Sequence, residues 1–273
     1  MRLAIRHTTR YEFTRPVTHS VQRLRLTPRS GPGQSVIEWG MEYHGVTPEL
    51  SYQDHNGNTV TLVSVDAGTA EVAISCHGEV DTEDRNGIVG RHAGHLPLWR
   101  FLRQSPLTEP GPAMRAIAEE VGGVGGKRLA LLHRLSSQIR AQVQFTKGVT
   151  DTRTTAEEAC AQGGGVCQDH AHVFIGIARL LDIPARYVSG YLMVNTSVDL
   201  DASHGWAEGW VDGLGWVGFD VANGISPDAR YVRVATGGDY REAAPVMGIS
   251  FGAGTRDVSV EVSVAQQQED QQQ

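Results

Sequence analysis

The sequence predicts an α+β protein in which an amino-terminal β-sandwich-like domain precedes a core that combines helices with further strands. Three observations support this prediction. Short segments with apolar residues on a period of two recur up to about residue 80, separated by Gly, Pro, Asn and Asp. Apolar residues then follow helical spacing between residues 112 and 181. The alternating pattern of strands returns after Pro184.

The boundaries of the predicted regions follow these changes in pattern. We expect a β-rich domain over residues 1–80 and a linker that packs down over residues 81–111, where turn-forming residues surround an apolar island. Residues 112–264 form the predicted core. Its last strand, over residues 258–264, is assigned to the core, and pairing with the amino-terminal domain is the alternative. Residues 265–273 are mostly Gln and predict a disordered tail.

Each predicted element has its own local signal. Alternation predicts strands over residues 3–7, 11–13, 36–43, 59–65, 71–80, 186–194, 205–220 and 258–264. Helical spacing predicts helices over residues 114–121, 129–143 and 167–181. Gly122-Gly123 ends the first helix and Pro184 follows the third.

Composition and charge disfavour several functional classes. The chain has 273 residues, with 24 Lys and Arg against 31 Asp and Glu, and a net charge of -7. Nucleic-acid binding requires clustered basic side chains, so we expect no nucleic-acid partner. No apolar run approaches the roughly 18 residues of a membrane span, and the first residues lack a signal-peptide pattern. The three cysteines are an odd number, which favours a reduced, cytoplasmic protein; the sequence does not indicate an oligomeric state.

The most informative stretch is the glycine run 163–165 followed closely by Cys167. A cysteine that begins a helix lies at the positive end of the helix dipole and beside free backbone N–H groups, both of which favour a thiolate. Glycines allow a substrate backbone to approach closely, and the N–H group of Cys167 is placed to help bind an oxyanion. The alternative is a buried cysteine that only packs. Cys76, within a predicted strand, and Cys160 are expected to be inert.

A nucleophilic cysteine needs a base, and His204 has the most suggestive context. It begins a strand whose turn leads to a second strand ending at Asp220. With a three-residue loop, Asp212 to Leu214, His204 and Asp220 become diagonal neighbours on one sheet face, roughly 7 Å apart. A two-residue loop would place His204 on the other face. The pattern therefore permits the pair without requiring it.

Several separated motifs, in order, resemble the bacterial transglutaminase-like superfamily, whose core is papain-like, with a helix bearing Cys packed on an antiparallel sheet. The resemblance to the core lies in the segments 165–171, 176–191, 204–208, 215–220, 238–241 and 244–248. A second resemblance, to the β domain that precedes this core in bacteria, lies in the segments 7–11, 16–17, 24–29 and 54–58. The resemblance implies Cys167 as nucleophile, His204 as base and Asp220 as the residue that orients it. This chain departs from the family pattern at Val221, where relatives often have Pro, and at Gly238, where they often have Arg.

Further residues around this group are expected to support it. We expect a loop of Gln162, Gly164 and Gly165 to bind the substrate or an oxyanion. We expect Asp169, His170, Trp206 and Glu208 to surround and support the three implied catalytic residues.

Two rival motifs are weaker. Cys160, Cys167, His170 and His172 could form a zinc site, but His172 points away from the helix face shared by Cys167 and His170. The glycine-rich segment 122–128 fails as a phosphate-binding loop, because Val121 and Arg128 stand where Gly and Ser or Thr are required. We therefore expect neither a metal nor a cofactor.

The sequence leaves three functional hypotheses. The first is a peptidase or amidase that cleaves an amide bond through a thioester on Cys167. The second is a transamidase, in which an amine replaces water. The third is a non-catalytic binding module that keeps the scaffold. An intact Cys, His and Asp set argues against the third hypothesis.

Overall fold

The computed structural model describes residues 1–17, 19–194, 203–251 and 256–267. Two four-stranded antiparallel sheets form the amino-terminal part of the fold. The first sheet contains, in spatial order, β15 (Arg256–Gln266), β1 (Arg2–Phe13), β6 (Glu71–Thr82) and β3 (Gln34–His44). The second sheet contains β14 (Val246–Phe251), β2 (His19–Thr27), β5 (Thr59–Val65) and β4 (Val46–Gln53).

The two sheets bury one shared apolar cluster. Side chains of β1 alternate between buried and exposed along most of the strand, as the sequence predicts for a sheet with one solvated face. Phe13 and Ile74 of the first sheet pack with Leu24 and Val63 of the second. Strands β2 and β4 were absent from the sequence prediction. β4 has apolar residues at alternate positions, but nearly all of its side chains are exposed, Leu50 and Tyr52 among them.

The last two strands lie in the amino-terminal sheets. β15 pairs with β1 from Leu3 opposite Gln266 to Phe13 opposite Arg256, and β14 pairs with β2. The assignment of the final strand to the core is therefore wrong, and the alternative pairing with the amino-terminal domain is correct. Ala265 and Gln266 belong to β15 rather than to a tail; the rest of the predicted tail, residues 268–273, lies outside the described residues.

The core consists of helices packed on a five-stranded antiparallel sheet. Its helices are α1 (Pro112–Gly122), α2 (Arg128–Gln142), α3 (Ala156–Gln162), α4 (Cys167–Leu180) and α5 (Tyr240–Ala243). Its sheet is ordered β13 (Tyr231–Gly237), β10 (Ala185–Leu192), β11 (Ser203–Val211), β12 (Gly215–Phe219) and β7 (Ile88–Gly90). A short parallel pair joins β8 (Gln144–Phe145) to β9 (Gly164–Gly165), and a 3₁₀ helix spans Leu98–Leu102. In the described ranges, no helix is long and apolar enough to cross a lipid bilayer.

Helix α4 is the centre of the core and is buried along most of its length. Gly176 allows α1 to approach closely, because a Cβ there would collide with Met114 and with the Thr108 carbonyl. Near the end of α4, the buried Arg179 guanidinium donates to the carbonyls of Phe101 and Gly238 and to the Thr108 hydroxyl. These bonds attach the segment before α1 and the segment before α5 to α4. They hold α4, and hence its first residue, in a fixed position.

The amino-terminal domain packs against one edge of the core sheet, formed by β13 and its neighbour β10. Leu3, Ile5 and Val80 share an apolar cluster with Tyr191 of β10 and Val232 of β13. In addition, two side-chain amides pair with the backbone of β13, which is an edge strand. The Gln34 amide accepts from the N–H and donates to the C=O of Arg233, with both distances 2.8 Å. The Asn58 amide does the same at Thr236, also at 2.8 Å.

Candidate active site

Cys167 is the first residue of α4 and is partly exposed. The turn that leads to it requires glycine at position 163, whose φ of 72° lies in the left-handed region. Gly165 is also required, because a Cβ there would lie 2.6 Å from the Asp169 carboxylate. This carboxylate accepts the N–H of Val166, 2.8 Å away, and so caps the helix. The thiol thus lies at the amino terminus of a well-capped, buried helix.

His204 and Asp220 form the predicted pair. β11 and β12 are joined by a three-residue loop, since Val211 lies opposite Gly215. This register is the one expected for a three-residue loop, and it places both side chains on one face of the sheet. His204 Nε2 lies 2.6 Å from Asp220 Oδ2. The other ring nitrogen, Nδ1, is therefore left for the Cys167 thiol, whose interaction with the imidazole contributes to the raised pKa of His204.

Two residues that the sequence analysis missed complete the environment of Asp220. Its buried Oδ2 accepts from the Asn223 side chain and from the Tyr231 hydroxyl, each at 2.7 Å, as well as from His204. The Asn223 N–H donates to Oδ1 at 3.2 Å. Tyr231 comes from β13 and Asn223 from the turn after Asp220, so neither belongs to the hairpin that drew attention to the site.

The charges of this group are strongly coupled. Burial acts to lower the pKa of His204, but the hydrogen bond to Asp220 and the interaction with Cys167 raise it from 6.5 to about 10. Burial alone would raise the pKa of Asp220, yet the hydrogen bonds from His204, Asn223 and Tyr231 keep it below its usual value. His204 is therefore an imidazolium at neutral pH, held between a carboxylate and the sulfur of Cys167.

Trp206 lies against this group, whereas Glu208 does not. The Trp206 ring stacks on His204 with 6.2 Å between ring centroids and meets Tyr231 edge-on at 5.4 Å. It therefore covers the imidazole, as expected. The Glu208 carboxylate is fully buried and bonds Arg186 and Arg233, each at 2.6 Å. Glu208 thus stabilises the sheet. It pairs with these arginines and does not lie beside Cys167, His204 and Asp220, where we expected it.

Asp169 and His170 support the start of α4. In addition to Val166, Asp169 Oδ2 accepts from the Thr150 hydroxyl at 2.7 Å, a partner that the sequence did not suggest. The pKa of Asp169 is raised, mainly by burial. The His170 ring lies between two backbone carbonyls, with Nδ1 2.9 Å from that of Val166 and Nε2 2.9 Å from that of Val143. Both residues therefore fix the backbone that precedes the thiol.

The three residues of the expected substrate loop differ in their placement. Gly164 and Gly165 form β9, buried beside β8 and immediately before the thiol. Gln162 is exposed, and its Nε2 donates to the Gly164 carbonyl at 2.9 Å. One N–H group of its amide thus closes the loop, and the side chain is exposed to solvent.

Cys160 and His172 of the rival zinc motif have packing roles, as does Cys76, which lies outside that motif. Burial raises the pKa of Cys76 and of Cys160 to about 11. His172 is fully buried, its Nε2 accepts the Tyr240 N–H at 3.0 Å, and burial lowers its pKa to about 3. Within the described ranges, no group of three His, Cys, Asp or Glu side chains is arranged to hold a metal ion.

A groove of about 440 Å³ opens beside the site. Its lining includes His170, one turn after Cys167, and Ala222 and Gly224 in the turn after Asp220. Phe145 of β8 and Arg140 of α2 line another part, and both side chains are exposed. The groove is therefore bounded by the elements that carry the nucleophile and the carboxylate.

Comparison with known proteins identifies two regions of the chain. Residues 3–81 match the bacterial transglutaminase-like N-terminal region, and residues 115–221 match the transglutaminase-like superfamily. An uncharacterized protein of Mycobacterium leprae is 30% identical over 96% of this chain and 98% of its own length. An uncharacterized protein of Mycobacterium tuberculosis strain H37Rv is 27% identical over 96% of this chain and 92% of its own length.

The fold also has a solved counterpart. The crystal structure of a candidate cysteine protease from Cytophaga hutchinsonii superimposes with a TM-score of 0.76, covering 97% of this chain and 90% of that chain. At 21% identity the likeness concerns the fold alone, and it confirms the predicted α+β architecture. Together, the matched regions and the full-length relatives show that the chain belongs to the transglutaminase-like superfamily and carries its bacterial amino-terminal region.

Proposed function

We propose that the protein is a thiol hydrolase, a peptidase or amidase that cleaves an amide bond through a thioester on Cys167. The observation that carries this proposal is the coupled group at the start of α4. Cys167 begins the helix, its interaction with His204 helps to raise the pKa of that imidazole, and the buried Asp220 holds His204 at 2.6 Å. Nucleophile, base and orienting carboxylate in contact are the requirements for covalent catalysis by cysteine.

In the proposed first half-reaction, the Cys167 sulfur attacks the amide carbonyl, forming an S–C bond while the C=O π pair moves to oxygen. The C=O bond then reforms and the C–N bond breaks, and the leaving amine takes a proton from the His204 imidazolium. Asp220 stabilises that imidazolium and fixes the ring so that Nδ1 faces the sulfur. In the second half-reaction water gives its proton to the neutral imidazole and hydrolyses the thioester.

The surroundings support this chemistry. Trp206 covers the imidazole and limits the access of water to the His204–Asp220 hydrogen bond, and a drier site strengthens electrostatic interactions. The groove beside His170 and Ala222 is large enough for a substrate side chain, and the exposed ring of Phe145 offers it an apolar wall. We propose that a peptide substrate lies along this groove with its scissile carbonyl at Cys167.

Selective labelling tests the activation of the thiol. Iodoacetamide at pH 6 should alkylate Cys167 well before Cys76 and Cys160, which are buried and have a raised pKa. Digestion and mass spectrometry give the extent of labelling at each cysteine. His204→Ala should slow the labelling of Cys167 and leave the labelling of Cys76 and Cys160 unchanged. Equal slow labelling of all three thiols in the unaltered protein would favour a non-catalytic scaffold.

Product analysis tests the reaction type. A peptide mixture is incubated with the protein and with Cys167→Ala, and the products are read by mass spectrometry with and without an excess of dansylcadaverine. A peptidase or amidase yields new free carboxylates in both conditions. Incorporation of the amine in preference to hydrolysis would instead identify a transamidase. No Cys167-dependent product under either condition would refute the proposal.

A further inference from the structure

The proposed acyl transfer requires a site for the negative oxygen of the tetrahedral intermediate. Such sites use two or more fixed hydrogen-bond donors. One donor is the N–H group of Cys167, because the first N–H groups of a helix have no acceptor within the helix. The expected second donor, Gln162, is exposed and uses one of the two N–H groups of its amide to bond the Gly164 carbonyl. A buried donor, held in place by its packing, would bind the oxyanion more effectively than this exposed amide.

Tyr187 is placed to supply it. This residue of β10 lies opposite Ala207 of β11, on the face that packs against the helices. Its side chain extends along the sheet toward Gly205, the neighbour of His204. A Cβ at Gly205 would collide with the Tyr187 hydroxyl and lie 2.8 Å from Cζ. The absence of a side chain at position 205 thus provides the space that the phenol occupies.

The Tyr187 hydroxyl also has no other function in the described parts of the structure. Its ring packs against His172 of α4, with centroids 5.2 Å apart, and against Tyr240 at 6.0 Å. No described residue forms a hydrogen bond with the hydroxyl, although Tyr187 is only 2% exposed. The hydroxyl oxygen is also not among the fully buried polar atoms that lack a partner in the described residues. It is therefore accessible, and its donor is available to a substrate.

The hydroxyl keeps its proton in this environment. Burial raises the pKa of Tyr187 well above its usual value, and among neighbouring charged groups Cys167 contributes most to the increase. The phenol beside Gly205 is therefore a neutral donor at every pH at which the protein is expected to work.

We propose that the Tyr187 hydroxyl, together with the Cys167 N–H group, binds the oxyanion of the tetrahedral intermediate. This inference rests on the proposed function. As the S–C bond forms, the carbonyl π pair moves to the oxygen, and both donors bond to the resulting anion without giving up their protons. As the C=O bond reforms, the leaving group departs and both hydrogen bonds weaken.

The test compares a reaction that has an oxyanion with one that lacks it. p-Nitrophenyl acetate acylates the thiol through a tetrahedral oxyanion, whereas iodoacetamide alkylates it by direct displacement at carbon. Both rates are measured at Cys167 by peptide mass spectrometry, in the unaltered protein, in Tyr187→Phe and in Gly205→Ala, whose Cβ displaces the phenol. We expect acylation to fall about 100-fold in both variants, while the alkylation rate stays within about twofold.

Tyr191→Phe is the matched control, because it removes a buried hydroxyl from the same strand, one that bonds His7 at 2.9 Å and Cys76 Sγ at 3.5 Å in the amino-terminal domain. Both of its rates should be unchanged. Unchanged acylation in Tyr187→Phe would overturn the inference. So would an equal fall in acylation and alkylation, which would show that Tyr187 only positions the thiol and imidazole. If the unaltered protein is alkylated but never acylated at Cys167, the proposed function itself fails, and the inference with it.

Discussion

Replacing Asp220 by Asn removes the charge that holds the His204 imidazolium. The carboxylate Oδ2 now accepts three hydrogen bonds, from His204, Asn223 and Tyr231, and Oδ1 accepts a fourth from the Asn223 backbone. An amide has one oxygen and one NH₂ group, so at least one of these donors must face another donor. The variant therefore loses both an ion pair and part of a buried hydrogen-bond network.

The magnitude follows from the pKa of His204. Its increase from 6.5 to about 10 corresponds to about 5 kcal/mol in favour of the imidazolium, at about 1.4 kcal/mol per pH unit. Cys167 supplies part of this increase and remains in the variant. Loss of one opposite charge lowers a pKa by about 1–3 pH units, so we expect the His204 pKa in Asp220→Asn to lie roughly midway between the two values.

The pH dependence of stability has a definite sign. Because the pKa of His204 is raised on folding, its stabilisation is complete below pH 6.5 and is lost as the pH rises through about 10. Asp220 has a lowered pKa, so its stabilisation is present above 3.8 and is lost as the pH falls through its folded value. In Asp220→Asn the alkaline loss of stability should still begin near pH 6.5, but it should be smaller and complete at a lower pH than in the unaltered protein.

Two measurements check this reasoning. NMR titration of the His204 ring gives its pKa, and denaturant unfolding between pH 6 and 10 gives the stability profile. On any substrate, Asp220→Asn should retain more activity than His204→Ala, because an amide can still orient the ring whereas the proton carrier has no substitute. Asp228→Asn is the control, since Asp228 pairs with Arg230 at the surface. An unchanged His204 pKa in Asp220→Asn, or the reverse activity ranking, would refute the assignment.

Three further predictions concern the thiol, the buried charges and the domain arrangement. Cys167→Ala should abolish turnover and leave the melting temperature nearly unchanged, because a small residue fits the helix start; a lost thermal transition would show that the thiol is a packing group. Glu208→Gln leaves two arginines without their carboxylate and should lower the free energy of unfolding by about 3–5 kcal/mol, whereas Asp212→Asn, at an exposed ion pair, should change it by less than about 1 kcal/mol. A fragment of residues 112–273 should be insoluble, since β15 and β14 lose their partners β1 and β2; a soluble, cooperatively folding and active fragment would contradict this expectation.

The site was predictable where it depends on local order in the chain. The position of Cys167 follows from glycines that precede a helical pattern, and the helix begins where this pattern begins. The pairing of His204 with Asp220 follows from a hairpin whose loop length the sequence left open between two and three residues. Only the folded register, with Val211 opposite Gly215, decides between them.

The sequence could not predict contacts between segments that are distant along the chain. Tyr231 reaches Asp220 from β13, a strand that no local pattern revealed. Glu208 lies near Trp206 in sequence, yet it pairs with Arg233 of β13 across the sheet. The final strand has a clear alternation, but alternation specifies a strand and a buried face, not a partner. Its pairing with β1 depends on the packing of the whole amino-terminal domain.

The amides of Gln34 and Asn58 limit how the core sheet can associate with other chains. The backbone groups that they bond, at Arg233 and Thr236, lie on the outer edge of β13. An extended peptide or a second copy of the chain would need these same groups to add a strand there. Recognition by strand addition at this edge is therefore blocked by the protein's own side chains. A change at position 58 would leave the backbone N–H and C=O groups of Thr236 without these two bonds.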